Sequence, residues 1–205
     1  MGTVRGVPDL VGFSEASWFG SEPMWEPSGE SGVRVEAPVG CDRFHDPVTG
    51  RRVIDNPALL TRVPTDATLV ARASVAFRAT FDAAVLVVYE RDDALGKLCF
   101  ERAPDGRPIV VSVVTRGVSD DANGWYVDVP SLWLRVSRVD RAFAFHASTD
   151  AVRWDLVRLF ALNRRDVAYM GLSVQAPIGT GCTATFDHVA VHEGAIAYDD
   201  VRSGR

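Results

Sequence analysis

Lysine is all but missing from this chain: Lys97 is the only one among 22 basic residues. The rest are arginine, a bias of the kind a GC-rich genome imposes. Basic residues are outnumbered as well, 22 against 27 acidic ones, for a net charge of −5 and a pI near 5.4. A nucleic-acid partner needs a basic face to neutralise phosphates, so the charge argues against that function class. Long apolar runs are lacking. The longest, Ala83 to Tyr89, is far short of a bilayer span, and no membrane role is expected. Met1 to Leu10 carries Arg5 but no apolar stretch of secretory-signal length. Cys41, Cys99 and Cys182 are few, widely separated and free of any C-x-x-C pair, which argues against a disulfide framework and a zinc ribbon. A cytoplasmic protein with reduced thiols is the expectation. Helix start and stop signals are scarce, and internal repeats and low-complexity tracts are absent.

What is present reads as strand. Hydrophobic residues at 47% and charged residues at 24% are ordinary globular values. The 205 residues suit one all-β domain with a core from about residue 15 to 195 and short loose termini. Val33-Arg34-Val35-Glu36-Ala37 alternates apolar and polar, as a half-buried strand does. Val70–Arg78 follows, then Ala83–Glu90, apolar on both faces and therefore central. Leu98–Arg102 and Ile109–Arg116 flank Pro104-Asp105-Gly106, a hairpin turn by its chemistry. Trp133–Val139 alternates strictly and turns into Phe143–Ala147, and Tyr169–Ala176 and Ala184–His192 complete the series. Val152–Leu162 fits neither period cleanly and reads as a strand plus a short turn. The tail from Asp199 to Arg205 is polar and expected to fray. Strands at this spacing define a sandwich or barrel.

Several segments in order carry a likeness. Trp25 precedes the Val33-Arg34-Val35 strand, and Gly40-Cys41-Asp42-Arg43-Phe44 and Ile54-Asp55-Asn56 come after it. Lys97-Leu98-Cys99-Phe100-Glu101 and Val111-Ser112-Val113-Val114-Thr115-Arg116-Gly117-Val118-Ser119-Asp120 are the most specific stretch. Trp133-Leu134-Arg135-Val136, Ser148-Thr149-Asp150 with Trp154, and the closing Thr185-Phe186-Asp187-His188-Val189-Ala190-Val191 follow. Together, over residues 15 to 195, these resemble the DUF1349 family of the concanavalin A-like lectin/glucanase superfamily. The resemblance implies a jelly-roll sandwich of two antiparallel sheets with a concave face, and no settled activity. Two departures stand out. The family's glycine after the aspartate is here Ala151, which weakens a turn. Its tryptophan after the early phenylalanine is here His45, on the side where a ligand would lie.

Strand alternation sets Lys97, Cys99 and Glu101 on one face and Leu98 and Phe100 on the other. The partner strand shows Ser112, Val114 and Arg116 on one face and Val111, Val113 and Thr115 on the other. Two readings compete. One is an exposed edge with a Glu101–Arg116 or Glu101–Lys97 ion pair of little worth. The other is a polar, aromatic-rimmed groove that hydrogen-bonds a polyhydroxylated ligand. In the second, Glu101, Arg116, Lys97 and Asp120 make the hydrogen bonds, and Trp125, Tyr89 and Phe44, near Tyr126, supply rings for a sugar's C–H face. Taken singly, each of those rings reads more readily as core. Trp133, Trp154, Phe143, Phe145 and Phe186 are assigned to the core.

Catalytic and metal signatures are thin. Asp42, Asp55, Asp92, Asp93, Asp120 and Asp121 read as solvated loop acids, with no D-x-D-x-D-G calcium loop among them. His45, His146, His188 and His192 lack the neighbours of a zinc site, so neither a metal nor another cofactor is expected. There is no G-x-S-x-G elbow. The E-x-D-x-x-E-type strand motif usual in glucanases of the resembled superfamily is missing, although Glu101 and Asp120 could converge from neighbouring strands. Three functions stay open: a non-catalytic module that binds a carbohydrate or similar polar small molecule, a protein–protein interaction module, which could be a homodimer, and a glycoside-active enzyme. The enzyme would show a carboxyl of raised pKa facing a second carboxylate across the groove.

Overall fold

A computed structural model describes residues 6–162, 167–194 and 197–204; Arg5 and Arg205 lie outside them. Alternating apolar side chains pair into strands β1 Ser17–Phe19, β2 Trp25–Pro27, β3 Val33–Ala37, β4 Arg43–His45, β5 Arg52–Ile54, β6 Ala58–Val63, β7 Asp66–Ala76 and β8 Ala83–Arg91. The chain continues through β9 Ala94–Arg102, β10 Pro108–Arg116, β11 Val118–Tyr126, β12 Ser131–Val139, β13 Ala142–Ser148, β14 Asp155–Ala161, β15 Ala168–Gln175 and β16 Cys182–Glu193, then α1 Tyr198–Ser203. Two seven-stranded antiparallel sheets result, in the orders β1-β6-β15-β8-β9-β10-β11 and β14-β13-β12-β7-β16-β3-β2. They pack face to face as a jelly-roll sandwich. No helix among the described residues is long and apolar enough to cross a membrane.

The core lies between the sheets. Leu86, Leu98, Phe100, Val110 and Leu172 descend from one sheet onto Leu69, Leu134, Phe143, Phe145 and Phe186 of the other. Each such side chain contributes about 1.5–3 kcal/mol on burial. Phe145 and Phe160 meet edge-on at 4.7 Å between centroids, directly above Gly96, where an added Cβ would sit 2.7 Å from the Phe160 ring. The Pro104-Asp105-Gly106 turn forms as expected, with the Gly106 amide donating to the Ala103 carbonyl at 2.9 Å.

The assignment of Trp133 and Trp154 to the core is corrected. Leu132, Leu134 and Val136 are the inward set of β12 and are buried, so Trp133, alternating with them, is only half-buried on the outer face. Its ring lies 5.1 Å from that of His188 and 5.9 Å from the Arg72 guanidinium. Trp154, also half-buried, sits 4.5 Å beneath the Arg135 guanidinium.

The fraying expected of the tail is corrected too. α1 docks on the outer face of the second sheet, with Val201 2% exposed. His146 donates from Nε2 to the Val201 carbonyl at 2.7 Å. Burial and the nearby Arg135 charge hold its pKa down at about 4, so the ring is neutral there.

The segment after β13 is a tight turn. The Ser148 hydroxyl accepts the amides of Asp150 and Ala151, and Asp150 Oδ1 accepts those of Val152 and Arg153. Ala151 sits there at φ 61°, the left-handed region that a β-carbon disfavours. Ala151→Gly is therefore expected to stabilise the protein by about 1 kcal/mol, read as a shift in urea midpoint at unchanged slope.

Candidate functional site

The register of the first sheet builds a face from the bottom up. Across β9, β10 and β11, Lys97 aligns with Val113 and Asp121, and Cys99 with Val111 and Asn123. Glu101 aligns with Ile109 and Tyr126. On the other side, Glu101 aligns through Ala83 with Gln175 of β15. These side chains share the outer face, opposite the core. The small β4–β5 hairpin lies over it, Phe44 packing on an apolar floor that includes Val85, Val111 and Val113.

A chain of buried polar groups runs along that floor. Lys97 Nζ donates to Asp42 Oδ1 at 2.7 Å and to Gln175 Oε1 at 2.9 Å. Gln175 Nε2 donates to Glu101 Oε2 and to the Phe81 carbonyl, both at 3.1 Å. Lys97 is only 2% exposed and Glu101 7%. Burial pulls the Lys97 ammonium down, yet the neighbouring acidic groups, Asp42 foremost, outweigh it and leave its pKa raised. For Glu101 burial wins: desolvation, only partly offset by Lys97, pushes its pKa up to about 8. At neutral pH Glu101 is thus an uncharged acid and Asp42 is the counter-charge of Lys97. Partial desolvation raises the half-shielded Asp121 carboxyl, with Lys97 opposing. Burial lifts the Cys99 thiol well above its ordinary value, so it is not a nucleophile.

The structure brings together Lys97, Glu101, Phe44 and, further along the same face, Tyr89. Tyr89 donates to Asp92 at 3.0 Å and packs with Phe19 at 5.6 Å between centroids. His45 adjoins them as an anchor of the hairpin. Its amide donates to Ser119 Oγ at 2.8 Å, and its Nδ1 donates to the Gly117 carbonyl at 3.0 Å.

Three candidates fall elsewhere. Arg116 is exposed at the far end of β10 and on the opposite face from Glu101, with Ala94 and Val118 as its neighbours. Asp120 turns away with Val114 and pairs with Arg158 of the other sheet at 3.2 Å. Trp125 is reversed by a bulge: Gly124 and Trp125 together oppose Val110, because Asn123 pairs with Val111 and Tyr126 with Ile109. Its ring therefore packs towards the core, and Tyr126 takes the outer face. Neither ion pair weighed for Glu101 forms among the described residues; β9 is interior to the sheet, not an edge. The reading of these acids as solvated holds for the exposed Asp55, Asp92, Asp120 and Asp121, although Asp92 also binds Arg43 at 2.6 Å and Asp120 and Asp121 lie in β11 and not in a loop; it is corrected for Asp42, which is tied to Lys97. Asp42 and Gln175 carry no local signal, since both join the network only through long-range pairing.

A two-sheet antiparallel jelly roll with one polar, hairpin-crossed outer face is the class of protein that this fold and face define. The chain belongs to the DUF1349 family, described as a protein of unknown function, which matches residues 18–194. No curated protein sequence matches it significantly. A functionally unknown protein from Saccharomyces cerevisiae shares the fold at 22% identity and a TM-score of 0.82, over 90% of this chain and 99% of that one. The carbohydrate-binding module CBM66 from Bacillus subtilis superposes with a TM-score of 0.58 at 14% identity, over 91% and 100% of the two chains. A xylan β-1,4-xylosidase from Bacillus halodurans matches at 0.64 and 13% identity, 79% of this chain spanning 33% of the enzyme. Likenesses at these identities establish the fold.

Proposed function

We propose that the chain is a non-catalytic binding module whose outer groove takes an uncharged saccharide or similar polyol. The observation that carries this is the buried Asp42–Lys97–Gln175–Glu101 chain. It runs beside an apolar floor that includes Val85, Val111 and Val113 and lies outside the core between the sheets. Buried ionic groups are costly, and their place beside a partly covered aromatic ring is that of a ligand site. Phe44 supplies a ring for stacking, and the exposed Asp121 and Asn123 supply rim hydrogen bonds. The likeness to CBM66 and the kinship with concanavalin A-like lectins implied by the sequence support it.

A second reading, a glycoside-active enzyme, is favoured by one observation: Glu101, with its pKa near 8, feels both Asp121 and Asp42 electrostatically, an acid–carboxylate pairing suited to proton transfer.

The test is a thermal-shift and calorimetric screen against neutral oligosaccharides, sugar phosphates and Ca²⁺. A neutral oligosaccharide at a hundred times its Kd is expected to stabilise by about 2.7 kcal/mol. Asp121→Asn and Asn123→Ala, both at exposed positions, are expected to abolish that shift and leave unliganded stability unchanged. A flat screen on folded protein defeats the binding reading. Release of reducing sugar, lost in Glu101→Gln, would establish the enzyme instead.

A further inference from the structure

Trp125, turned away from the groove by its bulge, forms a wall of a separate cavity at one end of the sandwich. The cavity has a volume of about 130 Å³, with Leu132 and Ala147 also lining it and Asp150, Arg153 and Asp155 around it. An apolar cavity of about 150 Å³ holds one benzene ring, so this space is that of a single six- or five-membered ring. Its lining is not that of a hydrocarbon site. One aromatic wall is combined with carboxylates and a guanidinium, the set that stacks a sugar's C–H face and reads its hydroxyls.

The polar side of the cavity is held in place before any ligand arrives. Asp150 Oδ1 takes three donors, from Ser148 Oγ and the amides of Val152 and Arg153. Among the described residues no hydrogen bond uses its Oδ2, which leaves an acceptor on a fixed carboxylate. Those same hydrogen bonds keep the Asp150 carboxyl below its ordinary pKa and charged. The strained Ala151 lies in this turn.

We infer that this cavity is a second binding site, independent of the groove, for one neutral sugar ring, as at the end of a glycan chain. Trp125 stacks on the ring, Arg153 donates to hydroxyl oxygens, and Asp150 and Asp155 accept from hydroxyl protons. A polymer crossing the groove and a terminal ring held here would be separate binding events.

The test uses the full chain labelled with ¹⁵N at its tryptophan indoles, the Trp125 resonance being identified by its loss in Trp125→Phe. Methyl glycosides of xylose, glucose and galactose, and free fructose, are titrated in turn, with benzene as an apolar control. At least one glycoside or fructose is expected to move the Trp125 resonance saturably. Arg153→Ala is expected to weaken that binding by about tenfold or more, and Asp121→Asn in the groove to leave it unchanged. The inference is overturned if no sugar moves the resonance, if only benzene does, if Arg153→Ala binds as the wild type does, or if Asp121→Asn abolishes the effect. Failure of the groove reading alone would leave the Trp125 titration intact.

Discussion

Lys97→Met is expected to destabilise the protein by about 3–5 kcal/mol, because it removes one partner of a buried ion pair and leaves the other uncompensated. The ammonium is 2% exposed and its partner Asp42 has a side chain 14% exposed, so solvent gives little relief. Gln175 loses a donor at the same time. The double variant Lys97→Met with Asp42→Asn is expected to regain most of the loss, since replacing both ions removes the stranded charge. Urea unfolding of wild type, both single variants and the double variant gives the coupling directly. Purely additive losses would show that the two groups do not interact energetically.

Glu101→Gln has the opposite sign and depends on pH. In the unfolded chain this carboxyl titrates near its ordinary 4.5, and in the folded protein near 8. Below the lower value both states hold the proton, and the stability it contributes is fully present. Between the two values only the unfolded chain releases it, so stability falls with rising pH by up to about 1.4 kcal/mol per unit. Above the folded value the loss is complete. Glutamine cannot ionise, and its carbonyl still accepts from Gln175. The variant is thus expected to match wild type near pH ~4 and to exceed it by about 4 kcal/mol near pH ~8. Denaturant midpoints across that range check this. Parallel curves for the two proteins would mean that Glu101 is ionised throughout in the folded state.

The parts of the fold legible in the sequence are those where one face of a strand is buried. Val33–Ala37 and the strands around Pro104-Asp105-Gly106 show it, because period-two alternation and turn chemistry act locally. β11 was illegible for the converse reason. Val118-Ser119-Asp120-Asp121-Ala122-Asn123-Gly124 is mostly exposed and is held as a strand by its ladder to β10. Missing that strand also hid its bulge, and with it the reversal of Trp125. For β12 the alternation is plain but does not by itself say which face points inward: Trp133 is large and apolar, yet Arg135 and Ser137 share its side. On the outer face of the first sheet, alternation alone places Lys97 with Glu101. Asp42 and Gln175 lie 55 and 78 residues from Lys97, and only the fold brings them to it.

The sandwich closes unevenly at its margins. β1 and β2, at one side, are three residues each, too short to template a further strand. β11, at the other, runs for nine residues with an open ladder edge. Such an edge invites another chain to add by main-chain pairing. Asp120 and Asp121 set negative charge along it, and the bulge at Gly124 and Trp125 twists its end out of register. Along β11, resistance to fibrous self-association draws on those charges and on that irregularity.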